Sequence, residues 1–313
     1  MRLQAKRAYG ARLLGSTNLK IKAINQVHKS TDTGGWVDMW STNYDWVNWL
    51  KKGIDSTKAL GANTVKTTGL SARALTADKT RFQNTLLDRT RLYLDYTYSQ
   101  GLYVYWQVNQ KLIYGTTAEL NTTAFETIKL LRDYPHVIGL DLWNEPDAEG
   151  AAGQSVITAY LAATVPTLRA LAPHIPLTVS TAIPDTNWGT YQRIVDAAPY
   201  VDFYDLHFYE QTTTPIDFTT QAALFHASAV FKPWLIGESG TPGAPYFSWP
   251  FGETQRAAFY GRLSGASQLA DCMGVVAFAL TDYDGAQFGF FPETMVGPRS
   301  SITNQFANWR DIR

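Results

Sequence analysis

Eight short runs of β-branched and apolar residues, each followed by a stretch with helical spacing, constrain this chain more than any other feature of it. Their C-terminal ends fall near Asn25, Lys66, Gln107, Trp143, Ser180, His207, Gly237 and Leu280, about 27 to 43 residues apart, the period of a repeated strand-helix unit. The runs VIGLDLW (137–143) and GVVAFAL (274–280) are almost continuously apolar, as a parallel strand covered on both faces requires; an antiparallel sandwich would alternate. Between the runs, Trp46, Trp49, Leu50, Ile54 and Leu60 recur at helical intervals and read as helix-barrel packing. A second helix is predicted from about 80 to 100, with Phe82, Leu86, Tyr93 and Leu94 facing inward and Gly101 ending it. The prediction is an α/β fold, a (β/α)8 TIM barrel. The 313 residues suit one such barrel, which takes about 250 plus loops. We therefore expect one domain over 1–313, with residues 1–18 as a short N-terminal extension.

Charge and composition then narrow the partners. Lys plus Arg (27) balance Asp plus Glu (27), and no basic stripe interleaved with aromatics occurs, which argues against nucleic acid and suits a neutral ligand. No apolar run nears the roughly 18 residues needed to cross a bilayer, so no membrane partner is expected. The basic N-terminus MRLQAKRAYGARLLG lacks the apolar stretch of a secretory leader; export by that route would require a leader already removed, which leaves an extracellular location open. The single cysteine, Cys272, excludes an intrachain disulfide and reads as a small buried residue. His28, His136, His174, His207 and His226 show no pair at ligand spacing with a carboxylate, so neither metal nor cofactor is expected. The sequence does not set the oligomeric state; a monomer is the expectation.

Two acids stand out by position. Glu145, in Leu142-Trp143-Asn144-Glu145-Pro146, directly follows the fourth strand, and Glu238, in Gly237-Glu238-Ser239-Gly240, ends the seventh. A charged side chain at the C-terminal end of a barrel strand points into the mouth. The two lie 93 positions apart, about three barrel units, on opposite sides of one opening. Such a pair suits glycosidic-bond cleavage with retention, which takes two carboxyl groups about 5 to 5.5 Å apart. One must stay ionised, which takes hydrogen-bond donors or positive charge beside it. The other must carry a proton at neutral pH, which a negative carboxylate beside it favours.

These motifs, together with His207-Phe208-Tyr209 after the sixth strand, resemble clan A of the glycoside hydrolases, family 5 (the cellulase family) most of all. The resemblance covers the barrel in layout and is specific in the short motifs. It implies a retaining glycoside hydrolase acting on a carbohydrate, cleaving β-bonds in an oligo- or polysaccharide, endo-acting on a β-glucan or β-mannan. It makes Glu145 the acid/base and Glu238 the nucleophile, with Tyr209 and Lys66 the expected donors that keep Glu238 ionised, gives Asn144 the sugar 2-hydroxyl, and marks His207 as a site histidine. Two positions depart from the family pattern: Lys66 stands where an arginine is usual, and Phe278 where a tryptophan floors the sugar site. A transglycosylase using the same residues and a catalytically silent carbohydrate-binding barrel remain open alternatives.

Aromatic residues crowd the expected loops: Trp36, Trp40, Trp106, Trp188, Trp249, Tyr283 and Phe288. The C–H face of a pyranose packs on such rings, so Trp36, Trp106, Trp249 and Phe278 are expected to line a substrate groove. Asp147, Glu149, Asp282 and Asp284 are read as solvated or subsite polar groups.

Overall fold

The computed structural model of the chain describes residues 20–26, 37–41, 44–108, 110–183, 196–210, 214–228, 232–241, 252–280, 290 and 299–309. The expected extension at 1–18 lies outside them. Among the described residues eight strands form: β1 Ile21–Gln26, β2 Thr64–Thr68, β3 Tyr103–Gln107, β4 Val137–Asp141, β5 in two parts, Leu177–Thr178 and Ser180–Ile183, β6 Tyr204–Tyr209, β7 Trp234–Gly240 and β8 Cys272–Ala277. All pairings are parallel and run in chain order, with β8 returning to β1. The first part of β5 pairs with β4 and the second with β6, so the ring continues through a strand interrupted only at Val179. The fold is the (β/α)8 barrel that the strand rhythm predicts.

The described helices are α1 Lys52–Ala59, α2 Asn84–Ser99, α3 Thr117–Leu131, α4 Gly150–Leu171, α5 Phe218–Ser228, α6 Glu253–Ala266 and α7 Ser300–Ala307. One π-turn, Trp46–Lys51, leads into α1, and Trp46 and Trp49 pack partly buried against the core as expected. Helix α2 begins later than the expected residue 80, because Leu75 and Phe82 first pair as an isolated bridge. After it, Gly101 takes φ 71°, the left-handed conformation that suits glycine beyond a helix end. Helix α3 starts at a capping box in which Thr116 and Glu119 bond each other's backbone N–H.

Strand alternation sorts the barrel wall into two packed surfaces. Ile24, Val65, Val104, Leu140, Leu206, Ile236 and Val275 face the helices and join one large cluster with Leu94, Ile128 and Leu161. Ile21, Ala23, Tyr105, Ile138, Phe203, Leu235 and Val276 form a separate apolar plug. On the strands that carry this plug, nearer their C-terminal ends, the buried residues turn polar: Asn25, Gln107, Asp141, Asp205, His207 and Glu238, with Lys66 of β2 among them. Charges removed from water this way must find each other to be tolerated.

Glu238 reaches that layer through a break in the alternation. Asp205 pairs with Leu235 and Leu206 with Ile236, but His207 pairs with Glu238, so Gly237 is an extra residue in β7. Such a bulge reverses side-chain parity, and Glu238 joins the face that Leu235 occupies. The extra residue must be glycine. A Cβ at 237 would sit 1.5 Å from Asp205 Oδ1 and 2.2 Å from its Cγ. Gly237→Ala is therefore expected to destabilise the fold by about 1 to 3 kcal/mol, the ordinary cost of forcing a methyl into a packed interior. Urea unfolding checks it, and an alanine variant with an unchanged midpoint would refute the packing argument.

Candidate functional site

Glu145, Glu238, Lys66, His207 and Tyr209, named from four strand ends, come together at one point. Glu238 Oε1 accepts from Asn25 Nδ2 at 2.9 Å and Lys66 Nζ at 3.0 Å, and Oε2 accepts from Tyr209 OH at 2.7 Å. His207 bridges the two acids: its Nδ1 lies 2.6 Å from Glu145 Oε1 and 3.6 Å from Glu238 Oε2. One oxygen from each glutamate and His207 Nδ1 all lie within 4.8 Å of one another. The members of this group come from the ends of three different strands; sequence spacing set the two acids at one opening but did not show that His207 lies between them. It is also a set of donors that could reach a cation, but Lys66 already supplies positive charge to Glu238 at 3.0 Å.

Electrostatics separates the two acids. Burial alone would raise the Glu238 carboxyl, yet Lys66 first, then His207 and the Tyr209 hydroxyl, hold it below the ordinary glutamate range. Lys66 is fully buried; burial disfavours its charge, and Glu238, Asp205 and Asp141 outweigh that penalty and keep it protonated. Its ammonium also donates to the Gly237 carbonyl at 3.0 Å. Burial and the Glu238 charge push the Tyr209 phenol upward, so it remains a neutral donor. Burial opposes a charged His207 ring, but Glu238, Asp205 and Glu145 prevail over it and over Lys66, and push the ring up to about 10. Glu238 is nearly enclosed, whereas the Glu145 side chain is 19% exposed, the one of the two more open to solvent.

Glu145 is held in an unusual backbone conformation, φ 46°, which a residue with a Cβ adopts only when its surroundings impose it. Ser180 imposes it: its Oγ accepts the Glu145 N–H at 3.1 Å and donates to Asp141 Oδ2 at 2.8 Å. Asp141 Oδ1 in turn takes the N–H groups of Trp143 and Ser180, each at 3.1 Å, tying the loop after β4 to β5. Burial and the charge of Asp205 push the Asp141 carboxyl up to about 7. Asn144 points its carboxamide oxygen at Gln107 Nε2 and at Ser180 Oγ, which leaves its amide hydrogens as the group it can offer elsewhere.

Other expectations need correction. Trp106, expected to line a groove, is 1% exposed, stacks on Trp40 at 5.4 Å and packs against Gly69, on the helix-facing side of β3. Strand parity explains this, since Tyr105 and Gln107 flank it on the two sides of the sequence and take the interior face. Trp40 is likewise core. Asp147 and Glu149, both half-buried, also serve as structural acceptors: Asp147 takes the Ala182 N–H at 3.1 Å, and Glu149 the Leu112 N–H at 2.9 Å and the Trp143 indole at 2.7 Å. Phe278 lies just beyond β8, 8% exposed and edge-on to Tyr209 with centroids 5.6 Å apart. Trp36, Trp188, Trp249, Asp282, Tyr283, Asp284 and Phe288 lie outside the described residues. Cys272 is buried, as expected, and burial pushes its thiol up to about 12.

Sequence reading missed Asn25, Gln107, Asp141, Ser180 and Asp205. Each is a polar residue inside a buried barrel strand, which is the signal that could have found them, since an unpaired polar group there would be costly.

Comparison with known proteins gives a consistent picture. A family model described as Cellulase (glycosyl hydrolase family 5) matches residues 21–245. Among solved structures, β-glycosidase BGL167 superposes with a TM-score of 0.69 at 13% identity, covering 94% of this chain and 96% of that one. The exo-β-1,4-mannosidase Op5Man5 from Opitutaceae bacterium strain TAV5 gives 0.70 at 16%, covering 93% and 59%. A GH5_18 from Bifidobacterium longum subsp. infantis gives 0.71 at 18%, covering 93% and 78%. At these identities the structures speak to the fold. Among curated proteins no sequence match was found.

Proposed function

This chain belongs to the cellulase family, glycosyl hydrolase family 5, and is a glycoside hydrolase; from that premise we propose that it works with retention, using Glu238 as nucleophile and Glu145 as acid/base. The observation that supports this best is the closeness of the two carboxyl groups, oxygens within 4.8 Å, which suits direct attack by one of them. An inverting pair stands about 6.5 to 9.5 Å apart to admit a water between.

In the first step Glu238 attacks the anomeric carbon, the glycosidic C–O bond breaks, and the leaving oxygen takes a proton from Glu145. Asn25, Lys66 and Tyr209 keep Glu238 ionised and aimed until then. Once Glu238 is esterified its charge is gone, and the positive field of Lys66 falls on Glu145 instead. That field favours the Glu145 carboxylate, which then accepts a proton from the water that attacks the anomeric carbon and breaks the ester. The Asn144 amide is suited to bond the sugar 2-hydroxyl, a contact that strengthens as positive charge develops on the ring. The Lys66 ammonium takes the place of a guanidinium: it offers a point charge instead of a planar fork, and the Gly237 carbonyl, Glu238 and His207 surround it.

For substrate we propose a β-glucan or β-mannan, the classes the family resemblance implies, cut internally on the strength of the sequence aromatics other than the core Trp40 and Trp106, namely Trp36, Trp188, Trp249, Tyr283 and Phe288. A panel of chromogenic β-glycosides and soluble β-glucans and β-mannans tests substrate and mode. NMR of the first-formed reducing sugar tests stereochemistry: the β anomer is expected first, and an α anomer would overturn the two-glutamate assignment.

A further inference from the structure

Behind His207, on the side away from Glu145, lies a buried carboxylate that the reaction above does not use. Asp205 is fully buried on β6. Its Oδ1 faces His207 Nε2 at 3.5 Å, and its Oδ2 faces Lys66 Nζ at 3.9 Å and accepts from Tyr105 OH. Oδ1 has no hydrogen bond of ordinary geometry among the described residues, so the ring nitrogen opposite is the group placed to satisfy it. The ring nitrogen and the Lys66 ammonium are only 3.3 Å apart. Two such groups sit that close comfortably only with an anion alongside, and Asp205 presents one oxygen to each. Gly237 makes room for this carboxylate, since any Cβ there would overlap it.

We propose that Asp205 is a positioning residue that fixes His207 with Nδ1 toward Glu145 and keeps bound the proton that His207 and Glu145 share. This rests on the assignment of Glu145 as acid/base. Nδ1 and Oε1 stand 2.6 Å apart, close enough to hold one proton between them. A second charge then sets its pH range. The groups facing His207 are Lys66 from β2, Asp141 from β4, Glu145 beyond it, Asp205 from its own strand and Glu238 from β7, with the neutral phenols of Tyr105 and Tyr209 near by. Lys66 repels the shared proton, and Asp205 is the anion that faces the far ring nitrogen. Lys66 and His207, outweighing burial, keep Asp205 itself ionised, below the ordinary aspartate range. Removing its charge lowers the pair's hold on the proton whichever of the two atoms carries it, so the acid form is lost at lower pH. When the leaving group departs, the proton passes to its oxygen, and the water that follows restores it.

The test is the pH profile of kcat/KM for Asp205→Asn on a glycoside that the wild type hydrolyses. The basic limb is expected to move to lower pH by about 1 to 3 units, the effect of one charge at this range, with KM little changed at pH values below the limb. Tyr105→Phe disturbs the same pocket but leaves the Asp205 charge, and its basic limb is expected to stay in place. An active Asp205→Asn whose profile overlies the wild type overturns the inference and leaves the two-glutamate reading standing. An equal shift in Tyr105→Phe also overturns it, because a packing change would then suffice. In case Asp205→Asn does not fold, nitrogen-15 NMR of the wild-type histidines decides separately: His207 is expected to keep both ring protons at pH 8, and loss of one near pH 6.5 overturns the proposal. A wild type without activity on any β-glycoside would instead remove the reading beneath it.

Discussion

Glu238→Gln is expected to lower turnover by roughly 10^4-fold or more, the scale seen when a covalent nucleophile is removed from a site whose parts act as a unit. The amide has neither the charge nor the lone-pair basicity to attack an anomeric carbon. The substitution also leaves Lys66 and His207 with one fewer anion. Asp205 and the Gly237 carbonyl still face Lys66, at 3.9 and 3.0 Å, so the barrel is expected to stay folded. Circular dichroism alongside steady-state kinetics separates the two effects. A folded Glu238→Gln with near-normal kcat would show that this carboxylate does not attack.

Glu145→Gln is expected to show a different signature, one that depends on the leaving group. For natural β-linked sugars, whose departing alkoxide is a strong base, loss of the general acid should cost roughly 10^2- to 10^4-fold in kcat/KM. For a dinitrophenyl glycoside the departing phenolate needs no proton, and kcat/KM is expected to stay near wild type. Its kcat still falls, because the second step then lacks a base, and KM falls with it as the glycosyl-enzyme accumulates. Equal losses on both substrates would remove Glu145 from the acid role and leave it a structural acceptor beside His207.

The barrel was legible because its cause is local and repeated. Apolar strands such as VIGLDLW cannot be satisfied except between two covering layers, and the helix after each supplies one of them. Glu145 and Glu238 were legible for a related reason, since a carboxylate closing an apolar strand has nowhere to point but the mouth. What the sequence withheld is parity. Gly237 shifts β7 by one residue, and without the β6 pairing nothing shows that Glu238 and His207 share a face. Parity also decides that Trp106 packs on Trp40 while its neighbours Tyr105 and Gln107 take the interior. Asp205 and Ser180 escaped notice because each acts through another residue, one through His207 and the other through the backbone of Glu145.

The central claim is that Glu238 becomes covalently bonded to sugar. Incubation with an activated 2-deoxy-2-fluoro-β-glycoside slows the second step more than the first and lets that species accumulate. Mass spectrometry of the intact chain and then of its peptides should find one added fluoroglycosyl group, carried by the peptide containing Glu238 and absent from Glu238→Gln. A chain that turns over the parent glycoside yet gains no mass, or gains it on a different carboxylate, would contradict the account.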